Sequence, residues 1–326
     1  MKIDFRRLAQ SMALRDGLEM LEPAIEKEIV HYEILQSLSK HGLLDSLGFQ
    51  GGTCLRLCYG SERYSEDLDF TAGEGFDSLD VEAFSKALQA DLLKAYDVAV
   101  RVKEPKIVRD FSGVGMRRWT VVVNTATQRP DIPAQRIKLE IASVPSYTSE
   151  IRQIGLNYPE LPPTYGQTLV RCQTPEEIMA DKLVSFSATE GYIRHRDLWD
   201  IPWLDALPQI DRTAIPDLVL SKHGDYGCEK PLADMIAIGI ERARTEIGRP
   251  EFQEQMRRFL PPETHRRTAA SEDYRDIMLH RIEAAYSNVA SSLGMDNAVE
   301  EFRRRRAADV AARSNGSEAR TRGKTI

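Results

Sequence analysis

The sequence contains no apolar stretch that approaches the roughly 18–20 residues needed for a membrane helix. Its first residues, MKIDFRRLAQSMALRDG, are charged from the second position and lack the apolar core of a secretory signal peptide. Both absences argue against a membrane-spanning or exported protein. We therefore expect a cytoplasmic protein with no membrane partner.

Cysteine is also scarce, with four residues among 326. Cys54 and Cys58 are four positions apart, whereas Cys172 and Cys228 stand alone in the sequence. This spacing gives neither a disulfide framework nor the two short-spaced ligand pairs typical of a zinc site. The sequence therefore predicts four buried, reduced thiols.

An overall excess of positive charge is absent too, because the formal net charge is −6. The C-terminal end differs from the rest. From Arg303 onward, eight basic residues stand against Asp309 and Glu318. An acidic body with a basic tail is compatible with an RNA partner, but such a charge run is also typical of a solvated segment.

Helices and strands are predicted by the spacing of apolar residues. Three- and four-residue steps predict helices at residues 22–46, 53–59 and 81–95. Alternation and β-branched residues predict strands at residues 67–70, 98–102, 119–124 and 137–144. The proline-containing stretch 145–165 is expected to be an extended connection.

A different pattern begins at Thr174, which precedes a proline and lies three residues before Glu177. These are the marks of an N-cap, a first-turn proline and a capping box. Helical periodicity continues to about Arg306. We expect a domain at residues 1–168, a helical domain at 169–306 and a basic, disordered tail at 307–326. Strands do not alternate regularly with helices, which argues against a Rossmann sheet.

The first candidate site is the turn formed by Gly51, Gly52 and Thr53. Two glycines allow a tight turn and close approach of a ligand, and Thr53 opens a helix where its N–H and hydroxyl could hold an anion. A plain junction between two helices explains the same three residues.

Three carboxylates make the second candidate site. Asp67 and Asp69 are two apart on a strand and therefore share a side. Two close like charges favour a cation between them, and Mg²⁺ takes oxygen ligands. Glu140, which alternates with the apolar Leu139 and Ile141, could complete a two-metal set. The alternatives are an acidic turn at residues 67–69 and an ordinary solvent-facing Glu140.

The helical part adds Lys182, which lies between apolar residues on its helix face, and the segment RHRDLWD at residues 194–200. Lys182 could reach a triphosphate as a point charge, or its stem could simply cover apolar surface. Asp197 could orient Lys182 or handle a proton. A structural ion-pair network is the other explanation of the segment.

Together these motifs resemble the AbiEii/AbiGii-type nucleotidyltransferase toxins, a family that includes the MenT toxins. FQGGT at residues 49–53 with Leu55, followed by RYSEDLDF at 63–70, resembles the family's first signature. KLE at 138–140 resembles its strand motif, and Lys182 with RDLWD at 196–200 resembles its helical motif. The resemblance spans about residues 30–205. Thr53 departs from the serine of many nucleotidyltransferases but keeps the hydroxyl.

The resemblance implies an α+β fold: a polymerase-β-like nucleotidyltransferase domain with a mixed β-sheet, plus a C-terminal helical domain. It implies transfer of NMP from an NTP, with two Mg²⁺ ions, or Mn²⁺ as a substitute, and release of pyrophosphate. The expected acceptor is RNA, chiefly the tRNA 3′ end, so that translation stops. A separately encoded antitoxin would neutralise the enzyme in a toxin–antitoxin or abortive-infection system. NMP transfer onto a protein hydroxyl and a non-catalytic nucleotide- or RNA-binding module are the alternatives.

The motifs and the resemblance together give each residue a role. The expected catalytic and metal-binding carboxylates are Asp67, Asp69 and Glu140, with Lys182 and Asp197 also catalytic. Asp200 is expected to be structural. The expected nucleotide-binding residues are Gly51, Gly52, Thr53, Arg63, Ser65, Lys138 and Lys182.

Overall fold

The structure is a computed structural model, and it describes residues 4–73, 86–91, 96, 98–109, 115–125 and 133–308. Residues 86–91 are helical, as predicted, and the remainder of the predicted helix at 81–95 lies outside the described residues. Most of the basic tail, residues 309–326, also lies outside them. No described helix is long and apolar enough to cross a membrane.

Two helices precede the sheet. Helix α1 (Phe5–Asp16) begins where the Asp4 carboxylate accepts a hydrogen bond from a first-turn N–H, and α2 (Glu22–Lys40) follows. Helix α2 packs against α1 and the sheet, with buried residues on most of its surface. It is shorter than the predicted 22–46, because the chain turns at Gly42 with a φ of 68°.

The described strands form one seven-stranded mixed sheet. In chain order they are β1 (Gly48–Gln50), β2 (Leu68–Thr71), β3 (Ala99–Arg109), β4 (Gly115–Asn124), β5 (Gln135–Ala142), β6 (Glu150–Gln153) and β7 (Leu169–Cys172). Their order across the sheet is β3-β4-β5-β2-β1-β7-β6. The β2–β5 and β1–β7 pairs are parallel and the others antiparallel. The α+β class and mixed sheet expected from the sequence are confirmed.

The centre of the sheet is built from alternating side chains, as predicted. Leu68 and Phe70 on β2 and Leu139 on β5 are fully buried, while the intervening acidic residues face the other side. The Phe49 and Phe70 rings pack with centroids 5.1 Å apart, which fixes β1 against β2. Burial of one face therefore sets which side chains the other face presents.

Two features of the sheet differ from the sequence prediction. The stretch 145–165 contains β6, which pairs antiparallel with β7. Strand β7 itself lies beyond residue 168, so the sheet continues past the expected domain boundary to Cys172. Strands of four residues with no buried position, as in β6, or two, as in β7, give too weak an alternation to be recognised in the sequence.

Helices make up the described chain after β7. They are α4 (Pro175–Ala188), α5 (His195–Asp205), α6 (Ile215–Asp225), α7 (Leu232–Glu246), α8 (Pro250–Arg257), α9 (Pro262–Arg267) and α10 (Glu272–Ser292), followed by helical residues 296–308. Helix α4 is almost entirely buried and packs against α5, α6 and α7. It therefore holds Lys182, itself buried, at a fixed position beside α5.

The start of α4 agrees with the prediction, but its capping chemistry does not. Thr174 is the N-cap residue, yet its side chain makes no capping hydrogen bond and pairs with the Thr148 hydroxyl at 2.9 Å. The Glu177 carboxylate instead accepts hydrogen bonds from the Tyr147 and Thr148 N–H groups. The predicted capping box is wrong, because tertiary contacts with the loop before β6 take both side chains.

Candidate active site

Three neighbouring strands bring the predicted carboxylates together. Asp69 on β2 lies opposite Glu140 on β5 in the parallel register and opposite Gln50 on β1 in the antiparallel register. Asp67 comes two residues earlier, immediately before β2. All three carboxylates line one cleft of about 520 Å³. We call Asp67, Asp69 and Glu140 the carboxylate wall.

The two predicted glycines allow the start of helix α3 (Gly51–Tyr59) to approach this wall. Gly51 has a φ of 74°, and a Cβ there would lie 2.5 Å from an Asp69 carboxylate oxygen. A Cβ at Gly52 would meet the Arg63 guanidinium and lie 3.0 Å from the Ser65 hydroxyl. Both positions require glycine because no side chain fits between the helix and the site.

Thr53 lies outside the cleft, unlike the two glycines. It is 1% exposed, and its hydroxyl donates a hydrogen bond to the Asp67 carbonyl. The sequence suggested that the Thr53 hydroxyl could bind a phosphate. In the structure this hydroxyl is already bound to the Asp67 carbonyl and is not available for that role. It instead fixes helix α3 against the residues that enter β2.

Cations of the sheet accompany two of the carboxylates. The Lys138 ammonium lies 3.2 Å from Asp67, and Arg118 on β4 donates to Glu140 at 2.5 Å. Within the described part of the chain, no cation lies within ion-pair distance of Asp69. Burial, with the nearby charges of Glu140 and Asp67, raises the pKa of Asp69 to about 7.

The opposite side of the cleft is basic. The Lys182 ammonium lies 2.9 Å from Asp197 and 2.6 Å from Asp200, and Arg63 binds both oxygens of Asp200 at 2.7 Å. Arg194 completes the network through a 2.6 Å hydrogen bond to Asp197. We call Arg63, Lys182 and Arg194, with the two aspartates they bind, the basic wall.

The protonation states of this network follow from its charges. Burial by itself would raise the pKa of Asp197, but the Arg194 and Lys182 charges outweigh burial and lower the pKa. Asp200 is fully buried, and Arg63 and Lys182 likewise lower its pKa against the effect of burial. Three cations therefore face two ionised carboxylates, and the basic wall keeps a net positive charge.

The cleft contains nearly all of the residues that the sequence nominated. It is lined by Gly51, Gly52, Arg63, Ser65, Asp67, Asp69, Lys138, Glu140, Lys182, Asp197 and Asp200. Gln50, Arg118, Asp181, Arg194, Arg196 and Tyr226 line it as well but were given no role from the sequence. Arg118 could have been nominated only by placing β4 beside β5, because its strand carries no motif.

The donor chemistry of the carboxylate wall fits a hard divalent cation. Three oxygen-ligand side chains face the cleft, and burial followed by repulsion from Glu140 and Asp67 raises the pKa of Asp69, which a bound cation would oppose. The oxygens of these three carboxylates do not all lie within 4.8 Å of one another. Among the described residues, the group of His, Cys, Asp or Glu side chains whose ligand atoms are that close is a cluster of three cysteines. Glu140 and Asp67 are instead paired with Arg118 and Lys138.

The cysteines lie away from these charges. Cys54, Cys58 and Cys172 are buried with their sulfurs within 4.8 Å of one another, and Cys228 is half-buried. None forms a disulfide, as predicted, although Cys228 is less buried than predicted. The β1–β7 pairing brings Cys172 to helix α3, which the sequence spacing did not indicate.

Solved structures of other proteins align with most of this chain. The solved structure of the nucleotidyltransferase toxin MenT4 from Mycobacterium tuberculosis aligns with 91% of this chain and 97% of its own, at a TM-score of 0.54 and 18% identity. JHP933 from Helicobacter pylori aligns with 89% of this chain and 97% of its own, at a TM-score of 0.43 and 18% identity. A search of curated proteins finds no match.

The family comparison extends further than the motifs. The family model described as "Nucleotidyl transferase AbiEii toxin, Type IV TA system" matches residues 33–288. It includes all the cleft-lining residues and continues beyond residue 205, where the resemblance of the motifs ended. The chain therefore belongs to the AbiEii nucleotidyltransferase toxin family.

Proposed function

We propose that this protein transfers NMP from an NTP to the 3′ end of an RNA, with tRNA as the acceptor, and releases pyrophosphate. The observation that carries the proposal is the cleft itself, in which the carboxylate wall faces the basic wall. Nucleotidyl transfer needs both: metal ligands at the reacting phosphate and cations at the departing one.

The nucleotide would enter with its triphosphate between the two walls. The start of α3 lines the cleft, and its free N–H groups would bind phosphate oxygens where Gly51 and Gly52 carry no side chain. Lys182 supplies a point charge for the β- and γ-phosphates, and Asp197 and Asp200 hold it in place. Arg63 is fixed by Asp200 and supports the glycine turn rather than moving freely.

Asp67, Asp69 and Glu140 would hold Mg²⁺, or Mn²⁺ in its place, at the reacting centre. When bound, such ions neutralise phosphate charge and lower the pKa of the attacking hydroxyl. Arg118 and Lys138 would then release Glu140 and Asp67. Lys138, with 47% of its side chain exposed, is free to turn toward the nucleotide.

The reaction is an in-line displacement. The acceptor hydroxyl oxygen forms a bond to the α-phosphorus, the bond from that phosphorus to the β-phosphate oxygen breaks, and pyrophosphate leaves. The hydroxyl proton passes to a carboxylate of the cleft. The protein acts mainly by positioning and by charge neutralisation, as in other phosphoryl transfers.

The proposal places the protein in the cytoplasm, as one half of a toxin–antitoxin pair. Modification of the tRNA 3′ end would block aminoacylation and stop translation. A separately encoded antitoxin would inhibit the enzyme, in a toxin–antitoxin or abortive-infection system. The residues form two proposed units, the sheet with its N-terminal helices and the helices after β7, with the active-site cleft between them.

The proposal is tested by incubating the purified protein with total tRNA, each of the four NTPs and Mg²⁺, followed by mass analysis of the RNA. We expect tRNA to gain one or more NMP units, with pyrophosphate in equal amount. Label that appears only on protein in a lysate would instead identify a protein hydroxyl as acceptor. No pyrophosphate with any NTP would indicate a nucleotide- or RNA-binding module.

A further inference from the structure

A second, smaller cavity of about 170 Å³ lies beside the active-site cleft. Its apolar lining comes from Met20, Pro23, Ala24 and Phe259, and Met20 is 63% exposed. An exposed methionine beside a concave surface can adapt its shape to a planar group and contact that group through its polarizable sulfur.

The two cavities are separated by little more than one side chain. Ser65 lines the cleft, and the next residue, Glu66, lines the second cavity. Arg196 lines the cleft, lies 3.9 Å from Glu66, and places its guanidinium 5.4 Å from the centre of the Phe259 ring. A chain-like ligand that leaves the cleft past Arg196 therefore reaches the second cavity directly.

The backbone fixes this cavity relative to the catalytic strand. The Tyr64 N–H donates a hydrogen bond of 2.8 Å to the Phe259 carbonyl, which ties the end of α8 to the segment before β2. The Lys27 ammonium lies 2.5 Å from Glu66 and links α2 to the same segment. The second cavity is thus held at a constant distance from Asp67 and Asp69.

The rim of the cavity is basic and exposed. Arg257 and Arg258 are exposed, and Arg257 has a single distant acidic neighbour, Glu254, at 3.8 Å. Among the described residues no carboxylate lies within ion-pair distance of Arg258, which instead lies 6.0 Å from the Phe259 ring centre. Both guanidinium groups therefore remain available to a ligand that carries phosphates.

We propose that this second cavity binds the nucleotides next to the reacting 3′ end of a single-stranded RNA acceptor. This inference rests on the proposed function of the cleft. One base packs on Met20 and Pro23, Arg257 and Arg258 bind backbone phosphates, and the terminal hydroxyl passes Arg196 into the cleft. An apolar surface beside arginines matches single-stranded nucleic acid, whose bases have apolar faces and whose phosphates attract cations.

The nucleotide substrate itself is a poorer occupant. Its triphosphate and metal ions match the carboxylate and basic walls of the first cleft, whereas the second cavity offers only the carboxylates Glu66 and Glu254, each beside a cation. A protein segment from the antitoxin is the other class of ligand, and the experiment separates it from RNA.

The test compares the full-length protein with the double variant R257S/R258S. The matched control is R266S/R267S, which removes two adjacent exposed arginines on α9 that do not line the cavity. We expect the KM for the RNA acceptor to rise about 10-fold in R257S/R258S. The slope of log KM against log salt concentration should decrease by about one to two, as expected for the loss of one or two phosphate contacts. The kcat at saturating RNA and the KM for the NTP should change less than twofold.

A second variant tests the base contact. Met20→Ser should raise the KM for an intact RNA end about fivefold. It should leave the KM for an RNA with an abasic penultimate nucleotide unchanged, because that RNA has no base for Met20 to contact. An equal effect of R257S/R258S and R266S/R267S on the RNA KM would overturn the inference. So would unchanged RNA kinetics with loss of antitoxin binding. Failure of the wild-type protein to modify any RNA would instead refute the proposed function.

Discussion

Arg63 and Asp200 form a two-point ion pair, with both nitrogen–oxygen distances 2.7 Å and both side chains at most 3% exposed. Arg63 lies shortly after helix α3, and Asp200 lies 137 residues later on α5. The pair therefore joins the sheet to the helices after it, directly beneath Gly52. Removal of Asp200 leaves the buried Arg63 without its carboxylate, and removal of Arg63 leaves the buried Asp200 with Lys182 as its remaining ion-pair partner.

We predict that Arg63→Met lowers the free energy of unfolding by about 3–5 kcal/mol, the usual cost of breaking a buried ion pair. Arg63→Lys should recover only part of this, since an ammonium cannot bind both oxygens of Asp200. Urea denaturation measures both. Arg266→Met, at a position with 74% of the side chain exposed, is the control and should change stability by less than about 1 kcal/mol. Equal losses in Arg63→Met and the control would contradict the structural role.

Asp69→Asn tests the carboxylate wall without a change of shape. We expect nucleotide transfer to fall about a thousandfold or more, because a metal ligand and its charge are lost. Stability should be unchanged or greater at neutral pH, since the raised pKa of Asp69 shows that its ionisation is unfavourable in the metal-free fold. Radiolabel transfer and thermal unfolding give the two readouts. The control is Asp217→Asn, at an exposed position near the start of α6, which should leave both nucleotide transfer and stability unaltered. Substantial transfer by Asp69→Asn would show that the Asp69 carboxylate is not needed for the proposed mechanism.

Gly51→Ala should abolish transfer through a single added methyl group. Its Cβ would occupy the space of the Asp69 carboxylate and would also strain a backbone with φ of 74°. Gly60→Ala is a matched control at the other end of the same helix, with φ of 80° and no atom within 4 Å of the added Cβ. Both variants should lose about 1–2 kcal/mol of stability from the backbone alone. We expect an activity loss beyond 100-fold only in Gly51→Ala; similar activities would show that strain, not the close approach to Asp69, is what matters.

Glu33 on α2 gives a pH dependence outside the active site. Burial raises its pKa from 4.5 to about 7, although the Tyr165 hydroxyl donates a hydrogen bond to it. Because the folded-state pKa is raised, its contribution to stability is complete below about pH 4.5 and is lost as the pH rises through about 7. Between pH 5 and pH 8, the wild type should lose about 2–3 kcal/mol relative to Glu33→Gln, which cannot ionise. Denaturation at both pH values measures the difference, and Glu19→Gln at an exposed position should show none.

Most of the sheet and its central site could be predicted from the sequence, because periodicity and motif order coincide there. Leu68 and Phe70 mark one face of β2, so the side that carries Asp69 follows at once. β2 and β5 are far apart in the sequence and pair in the sheet. Even so, Glu140 could be proposed as the third carboxylate, because it is a single acidic residue between apolar neighbours on a strand.

The remaining features depend on contacts that local sequence does not encode. Glu177 has the spacing of a capping box but is buried against Lys222 at 2.7 Å and binds the loop before β6. The Thr53 hydroxyl has a helix-start position suited to anions but is committed to the Asp67 carbonyl. In both residues a tertiary hydrogen bond outweighs the local preference, and only the packing of distant segments shows which one forms.

The two walls of the cleft, negative on one side and positive on the other, act together before any contact is made. Opposed charges across the cleft set up an electric field, and a metal–triphosphate complex is itself polarised along its length. In the proposed function, this field would turn an arriving nucleotide so that its metal-bearing side meets Asp69 and its terminal phosphates meet Lys182. The nucleotide would thus be oriented before it binds. This orientation would weaken as added salt screens the charges of both walls.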